Sequence, residues 1–78
     1  MNRFGTKLSK NIFLYHVTGW DKNITFDSKK RRVMVMDATT GDILSDKDLG
    51  VDGEMDYEDF LLYAMNIHLD YIDLVNSN

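Results

Sequence analysis

The sequence predicts an α+β fold in which a small antiparallel sheet of three to four strands packs against one long C-terminal helix. Two patterns lead to this prediction. Over positions 11–44, short segments rich in β-branched and aromatic residues alternate with turn residues, which is typical of strands joined by hairpins. Over positions 56–75, apolar residues recur on one arc of a helical projection and carboxylates on the opposite arc. Strands followed by one such helix form two layers, with the helix across one sheet face.

The strands are predicted at four segments, which are residues 11–18, 24–26, 31–37 and 42–44. The first segment has apolar residues at both odd and even positions, which indicates a strand in the interior of the sheet. The run VMVMDATTGDIL is the clearest hairpin, because Gly41 can supply the positive φ that its turn needs. Residues 1–10 show no decisive pattern, and we expect an extended arm or a short turn there.

Three signals mark the start of the helix. Asp56 can cap the first free backbone amides, and Glu58 and Asp59 add negative charge at the positive end of the helix dipole. Met55 and Phe60 have the spacing of a hydrophobic staple across that cap. The sequence therefore predicts a helix that begins next to Asp56.

The helix carries a polar stripe, formed by Asp59, Asn66, Asp70 and Asp73. Its apolar surface is wider than a one-sided helix requires, because Leu62 and Leu69 fall beside this stripe, about 180–200° from Phe60. Either the N-terminal part of the chain covers these leucines or a partner does.

Length and composition indicate one small domain over residues 1–78, without cysteine or proline. The longest apolar-rich run near the N-terminus has seven residues, too few for a membrane span, so we expect a cytoplasmic protein with no membrane contact. Charge is divided unevenly along the chain. Residues 1–36 hold eight basic and two acidic residues, whereas residues 37–78 hold eleven acidic residues and one basic residue. Either the halves neutralise each other in the fold or an acidic surface faces a basic partner.

Catalysis has little support in the sequence. The two histidines, His16 and His68, lack a local catalytic signature and fit packed or rim positions better. Glu58 and Asp59 are adjacent and point about 100° apart on a helix, so they do not form a glycosidase-like pair. Glycine-rich phosphate-binding motifs are missing. We expect that the protein is not an enzyme and uses no cofactor.

The segment 48–59 resembles the calcium loop of EF-hand and dockerin proteins. The resemblance implies four metal ligands, which are Asp48, Asp52, Asp56 and Asp59. Gly53 matches the glycine of the sharp turn, and Met55 matches the apolar residue that pairs with a sister loop. The chain departs from the pattern at Gly50, which has no side-chain oxygen, and in the preceding segment, which is typical of a hairpin. A calcium-binding module is therefore an alternative function, and ordinary helix-start chemistry explains the same spacing.

One basic cluster, Lys29–Arg32, has Tyr15, Trp20 and Phe26 near it in sequence. A basic turn with aromatic neighbours can hold phosphates. The acidic half of the chain would repel a polyanion, so direct nucleic-acid binding is not expected. We interpret the cluster as a solvated edge-strand run that discourages pairing between sheets.

The remaining function class is a protein-interaction module. In size and charge the chain resembles the inhibitors that phages make against host nucleases and defence complexes, including anti-CRISPR proteins and DNA mimics, and bacterial immunity proteins. The resemblance implies a basic, nucleic-acid-handling protein partner in the host cytoplasm. The predicted partner-binding residues are Glu58, Asp59, Leu62, Asn66, Leu69, Asp70 and Asp73. A monomer and a homodimer through the helix both fit the sequence.

Overall fold

The computed structural model describes the backbone of residues 4–76 and the side chains of residues 4–72. Five antiparallel strands form one sheet: β1 (Gly5–Lys7), β2 (Ile12–His16), β3 (Lys22–Asp27), β4 (Arg32–Asp37) and β5 (Ile43–Asp48). Their order in the sheet is the same as their order in the chain. Helix α1 (Tyr57–Asn76) follows them. The predicted α+β architecture with one C-terminal helix is confirmed, but the predicted number of three to four strands is too low.

The additional strand is β1, in the segment predicted as an extended arm or turn. Gly5 pairs with Tyr15, and β1 thereby places β2 in the interior of the sheet. A Cβ atom at Gly5 would meet the side chains of Leu61 and Tyr57, so glycine allows α1 to approach the sheet closely. The need for glycine at this position comes from the helix above it.

The core lies between one face of the sheet and α1. Side chains alternate along β2, β3 and β4, and those on the helix side are buried: Phe13, Tyr15, Ile24, Phe26, Val33 and Val35. Phe60, Leu61 and Ala64 of α1 complete this core. On the other sheet face Leu14 and Met34 are half-buried, so that face is only partly shielded from solvent.

Two turns of the sheet share one design. Asp27 accepts backbone hydrogen bonds from residues 29 and 30, and Asp37 accepts them from residues 39 and 40. Each turn reaches positive φ at its fourth residue, with φ 54° at Arg31 and 78° at Gly41. The positive φ predicted for Gly41 is confirmed. The pKa of Asp37 is lowered, chiefly by the amide hydrogen bonds from residues 40 and 39.

Strand β5 is longer than the predicted segment 42–44 and forms an edge of the sheet. All its residues are exposed, including Ile43 and Leu44. Two of its acidic residues form ion pairs with Arg32 of β4. The guanidinium lies 3.0 Å from the Asp46 carboxylate and 3.7 Å from that of Asp48. Exposed charges on an edge strand oppose pairing with other sheets.

Candidate protein-binding surface on helix α1

Helix α1 begins where the sequence predicts because the chain caps its first turn. The Asp56 carboxylate accepts a hydrogen bond of 2.8 Å from the Asp59 backbone amide, which confirms the predicted N-cap. Met55 is partly buried and packs against the core cluster to which Phe60 belongs. Glu58 and Asp59 lie in the first turn, where they complement the helix dipole.

One side of α1 fills the core, and we refer to it as the inner row: Phe60, Ala64, Ile67 and Tyr71. Phe60 has no exposed surface, and its ring stacks on that of Phe26 with centroids 5.9 Å apart. Ala64 is also fully buried. Because these contacts fix the rotation of α1 about its axis, they also decide which residues the helix presents outward.

The outward side carries a second apolar series, which we refer to as the outer row. Its members, with their exposed fractions, are Leu62 (59%), Met65 (39%), Leu69 (49%) and Ile72 (38%). On a helical projection they fall within about 80° of each other, on the side of α1 away from the sheet. Four large apolar side chains in one exposed row form a patch of the type that marks interaction sites.

Carboxylates lie next to the outer row. Six of the predicted partner-binding residues are exposed: Glu58, Asp59, Leu62, Asn66, Leu69 and Asp70. Asp73 lies in the α1 backbone, but its side chain is outside the described residues. Helix α1 contains no lysine or arginine, and within the described part of the chain none of its carboxylates forms an ion pair. The surface is therefore acidic and apolar at once.

Sequence reasoning missed two members of the outer row, Met65 and Ile72. The signal was present, because both lie on the same arc of the helical projection as Leu62 and Leu69. Only the two leucines stood directly beside the polar stripe, so the wider row went unnoticed. The structure extends the apolar surface three residues beyond Leu69, to Ile72.

Two of the four proposed calcium ligands, Asp48 and Asp56, have other roles in this fold. Asp48 belongs to β5, accepts the Gly50 amide at 2.9 Å and faces Arg32. Asp56 caps α1. Among the described residues, no three histidine or acidic side chains lie together as a metal ion would require. Calcium binding by segment 48–59 stays a prediction, and the geometry offers it no preformed site.

The basic cluster and its aromatic neighbours do not come together. Trp20 lies in the β2–β3 turn, whereas residues 29–31 form the β3–β4 turn at the other end of the sheet. Tyr15 and Phe26 are buried under α1. The edge-strand interpretation of the cluster is wrong, since three of its residues lie in the turn and Arg32 begins the interior strand β4.

His68 lies beside the inner row, as the predicted packed or rim position implies. Its ring is 4.1 Å from that of Trp20, and its Nδ1 lies 3.2 Å from the Tyr15 hydroxyl. Burial lowers the pKa of His68 below the ordinary 6.5 and raises the pKa of Tyr15 above 10.0, because it disfavours the charged form of each. His68 thus joins the middle of α1 to the β2–β3 turn.

An open depression of about 920 Å³ lies at one end of the sheet, lined in part by Leu14, His16, Val17 and Asn23. His16 is exposed and its Nδ1 hydrogen-bonds to Asn23. It is the one ionisable side chain among the described residues that line the depression. A single imidazole beside an amide does not form a nucleophile–base pair. The expectation that the protein is not an enzyme stays a prediction.

Comparisons with known proteins give no further guide to function. No protein-family model, no curated protein and no solved structure matches the chain. Within the described residues, no helix is both long enough and apolar enough to cross a membrane.

Proposed function

We propose that this chain is a small protein-interaction module that binds and inhibits a basic, nucleic-acid-handling protein through the outward surface of α1. The observation that carries the proposal is the outer row: Leu62 and Leu69 are 59% and 49% exposed although Phe60 and Ala64 on the same helix are fully buried. When a partner covers an exposed apolar row of this kind, apolar area is removed from water. Charged side chains alone do not supply this contribution to binding.

The acidic residues supply the second part of the argument. Asp59 and Asp70 lie beside the outer row on a rigid helix that carries no base. Fixed carboxylates attract a basic surface over distance and speed its association, while a desolvated apolar centre slows dissociation. A groove in which the partner binds the phosphates of nucleic acid would carry the positive charge that attracts these carboxylates. The proposed site of action is the cytoplasm, as for the phage inhibitors that the chain resembles in size and charge.

The test is a capture experiment with matched variants. The tagged chain is incubated with an extract of its native cells, and the captured proteins are identified at low and high salt. We expect a basic protein that is lost with Leu69→Ala and with Asp70→Lys. Leu8→Ala and Asp42→Lys serve as controls, because Leu8 is 57% exposed and Asp42 is also exposed, and neither lies on α1.

Kinetics on the captured protein then separate the two contributions. Asp70→Lys should slow association and weaken its salt dependence, whereas Leu69→Ala should mainly speed dissociation. Excess wild-type chain should also block the partner's binding to nucleic acid. The proposal fails if capture survives both α1 variants, or if the chain and nucleic acid bind the partner together without competition.

A further inference from the structure

The outer row has the spacing of a helix–helix seam. Leu62, Met65, Leu69 and Ile72 are separated by steps of three, four and three residues, which is the a/d pattern of a coiled coil. Over these residues the row extends about 15 Å along the axis of α1. A row that is narrow and follows the helix axis suits a second helix packed lengthwise, since each apolar residue can insert between residues of that helix.

The charges beside this row indicate what the second helix carries. One flank of the row holds Asp59, Asn66 and Asp70, all exposed, and Glu58 lies at its start. A second copy of this chain would bring a helix without a single lysine or arginine. In an antiparallel arrangement it would also place the acidic flanks opposite each other, which is repulsive. A helix with basic flanking residues would form favourable pairs instead.

We infer that the partner element that docks on α1 is an amphipathic helix with an apolar seam flanked by lysine or arginine. This inference rests on the proposed function and names the chemistry of the partner. Leu62 and Leu69 are the most exposed members of the seam, and Met65 between them adapts to side chains of different shape. Asp59 and Asp70 pair with the basic flank and set the direction of the docked helix.

Three synthetic helical peptides test the inference, each about four turns long to span the outer row. The first has a leucine and isoleucine seam with lysine flanks. The second keeps the seam and has glutamate flanks, and the third keeps the lysine flanks and has serine in the seam. Binding to the full chain is measured by fluorescence anisotropy at low and at physiological salt.

We expect that only the first peptide binds. Leu62→Ala and Leu69→Ala should each weaken its affinity by about tenfold or more, because these two leucines have the largest exposed fractions in the row and are buried by the docked helix. Asp70→Lys should weaken binding and reduce its salt dependence, and Leu8→Ala should leave binding unchanged. Equal binding of the glutamate-flanked peptide, or of the serine-seam peptide, overturns the inference. So does a concentration-dependent dimer that Leu69→Ala abolishes, because the occupant would then be a second copy.

The outcome is separable from that of the proposed function. If a native basic partner depends on Leu69 and Asp70 but the first peptide does not bind, the partner uses another element and only the inference fails. If the first peptide binds the outer row but capture of native proteins is unaffected by the same variants, the inference about recognition stands and the proposed function fails.

Discussion

The inner and outer rows of α1 contain similar side chains in opposite environments. Phe60 is fully buried against Phe13 and Phe26, whereas Leu62, two residues later, is 59% exposed. The core of the described chain therefore uses one side of the helix, whereas the second apolar side stays exposed. The difference teaches that the apolar residues of α1 form two separate sides, one packed in the core and one exposed at the surface.

The strongest test of this comparison is removal of a large inner-row side chain. Phe60→Ala should lower the free energy of unfolding by about 3–5 kcal/mol, because it deletes a fully buried ring and leaves a cavity. Urea unfolding followed by circular dichroism measures the change. If Phe60→Ala does not fold, Phe60→Leu should fold with a smaller loss, since it keeps most of the volume. A loss below about 1 kcal/mol for Phe60→Ala would mean that the inner row is not the core.

A smaller effect concerns His68, at the border of the inner row. Its folded-state pKa lies below the unfolded value of 6.5, so neutral His68 favours the fold. As the pH falls, His68 is protonated in the unfolded chain before it is protonated in the folded chain. The free energy of unfolding should therefore decrease below about pH 6.5. In His68→Gln this part of the pH dependence should disappear.

The pH experiment has a local probe in Trp20, whose ring centroid lies 4.1 Å from that of His68. Stability is measured from pH 8 to 5 by urea unfolding with Trp20 fluorescence, and the profiles of the wild type and the variant are subtracted to remove carboxylate titration. Identical profiles would show that burial of His68 does not disfavour its charge.

Truncation of the outer row should have almost no effect on folding. Leu62→Ala and Leu69→Ala should each change the free energy of unfolding by no more than about 0.5 kcal/mol, because exposed side chains contribute little to stability. Analytical ultracentrifugation of the same samples establishes that a monomer is being measured. A loss of several kcal/mol in a monomer would place both leucines in the core and remove the distinction between the rows.

The smallest expected effect is that of calcium. If Asp56 and Asp59 only stabilise the first turn of α1, the melting temperature in millimolar calcium should equal that in millimolar magnesium. A native-state ligand at about 100 times its Kd would instead add about 2.7 kcal/mol of stability. Asp52→Ala is the matched variant, because Asp52 is exposed and does not cap the helix. A calcium-specific rise that this variant abolishes would assign Asp52 to a metal site and favour the EF-hand-like alternative.

Local signals in the sequence predicted α1 well. The helix was predicted over residues 56–75 and is observed over Tyr57–Asn76, because its cap, dipole charges and apolar period all lie within the segment itself. The projection also placed Leu62 and Leu69 beside the polar stripe but left open whether the N-terminal part of the chain covers them; the structure leaves both exposed. Their binding role was and remains a prediction.

The errors arose where structure depends on distant residues. Strand β1 has little strand propensity, and Gly5 is suited to its place only because α1 passes over it. Strand β5 continues to Asp48 through a polar segment because it pairs with β4, where Arg32 offsets the charge of Asp46 and Asp48. The same pairing removes Asp48 from the loop in which the sequence pattern placed it as a metal ligand.

The order of the strands also affects how the protein is made. Each strand pairs with its neighbour in the chain, so the sheet has local contacts that favour rapid folding. Helix α1 follows all five strands, and a ribosome adding about 5–20 residues per second needs roughly 1–4 s to synthesise it. During that interval Phe13, Tyr15 and Phe26 have no helix above them. This face of the sheet is therefore open to aggregation until the helix that covers these rings has emerged.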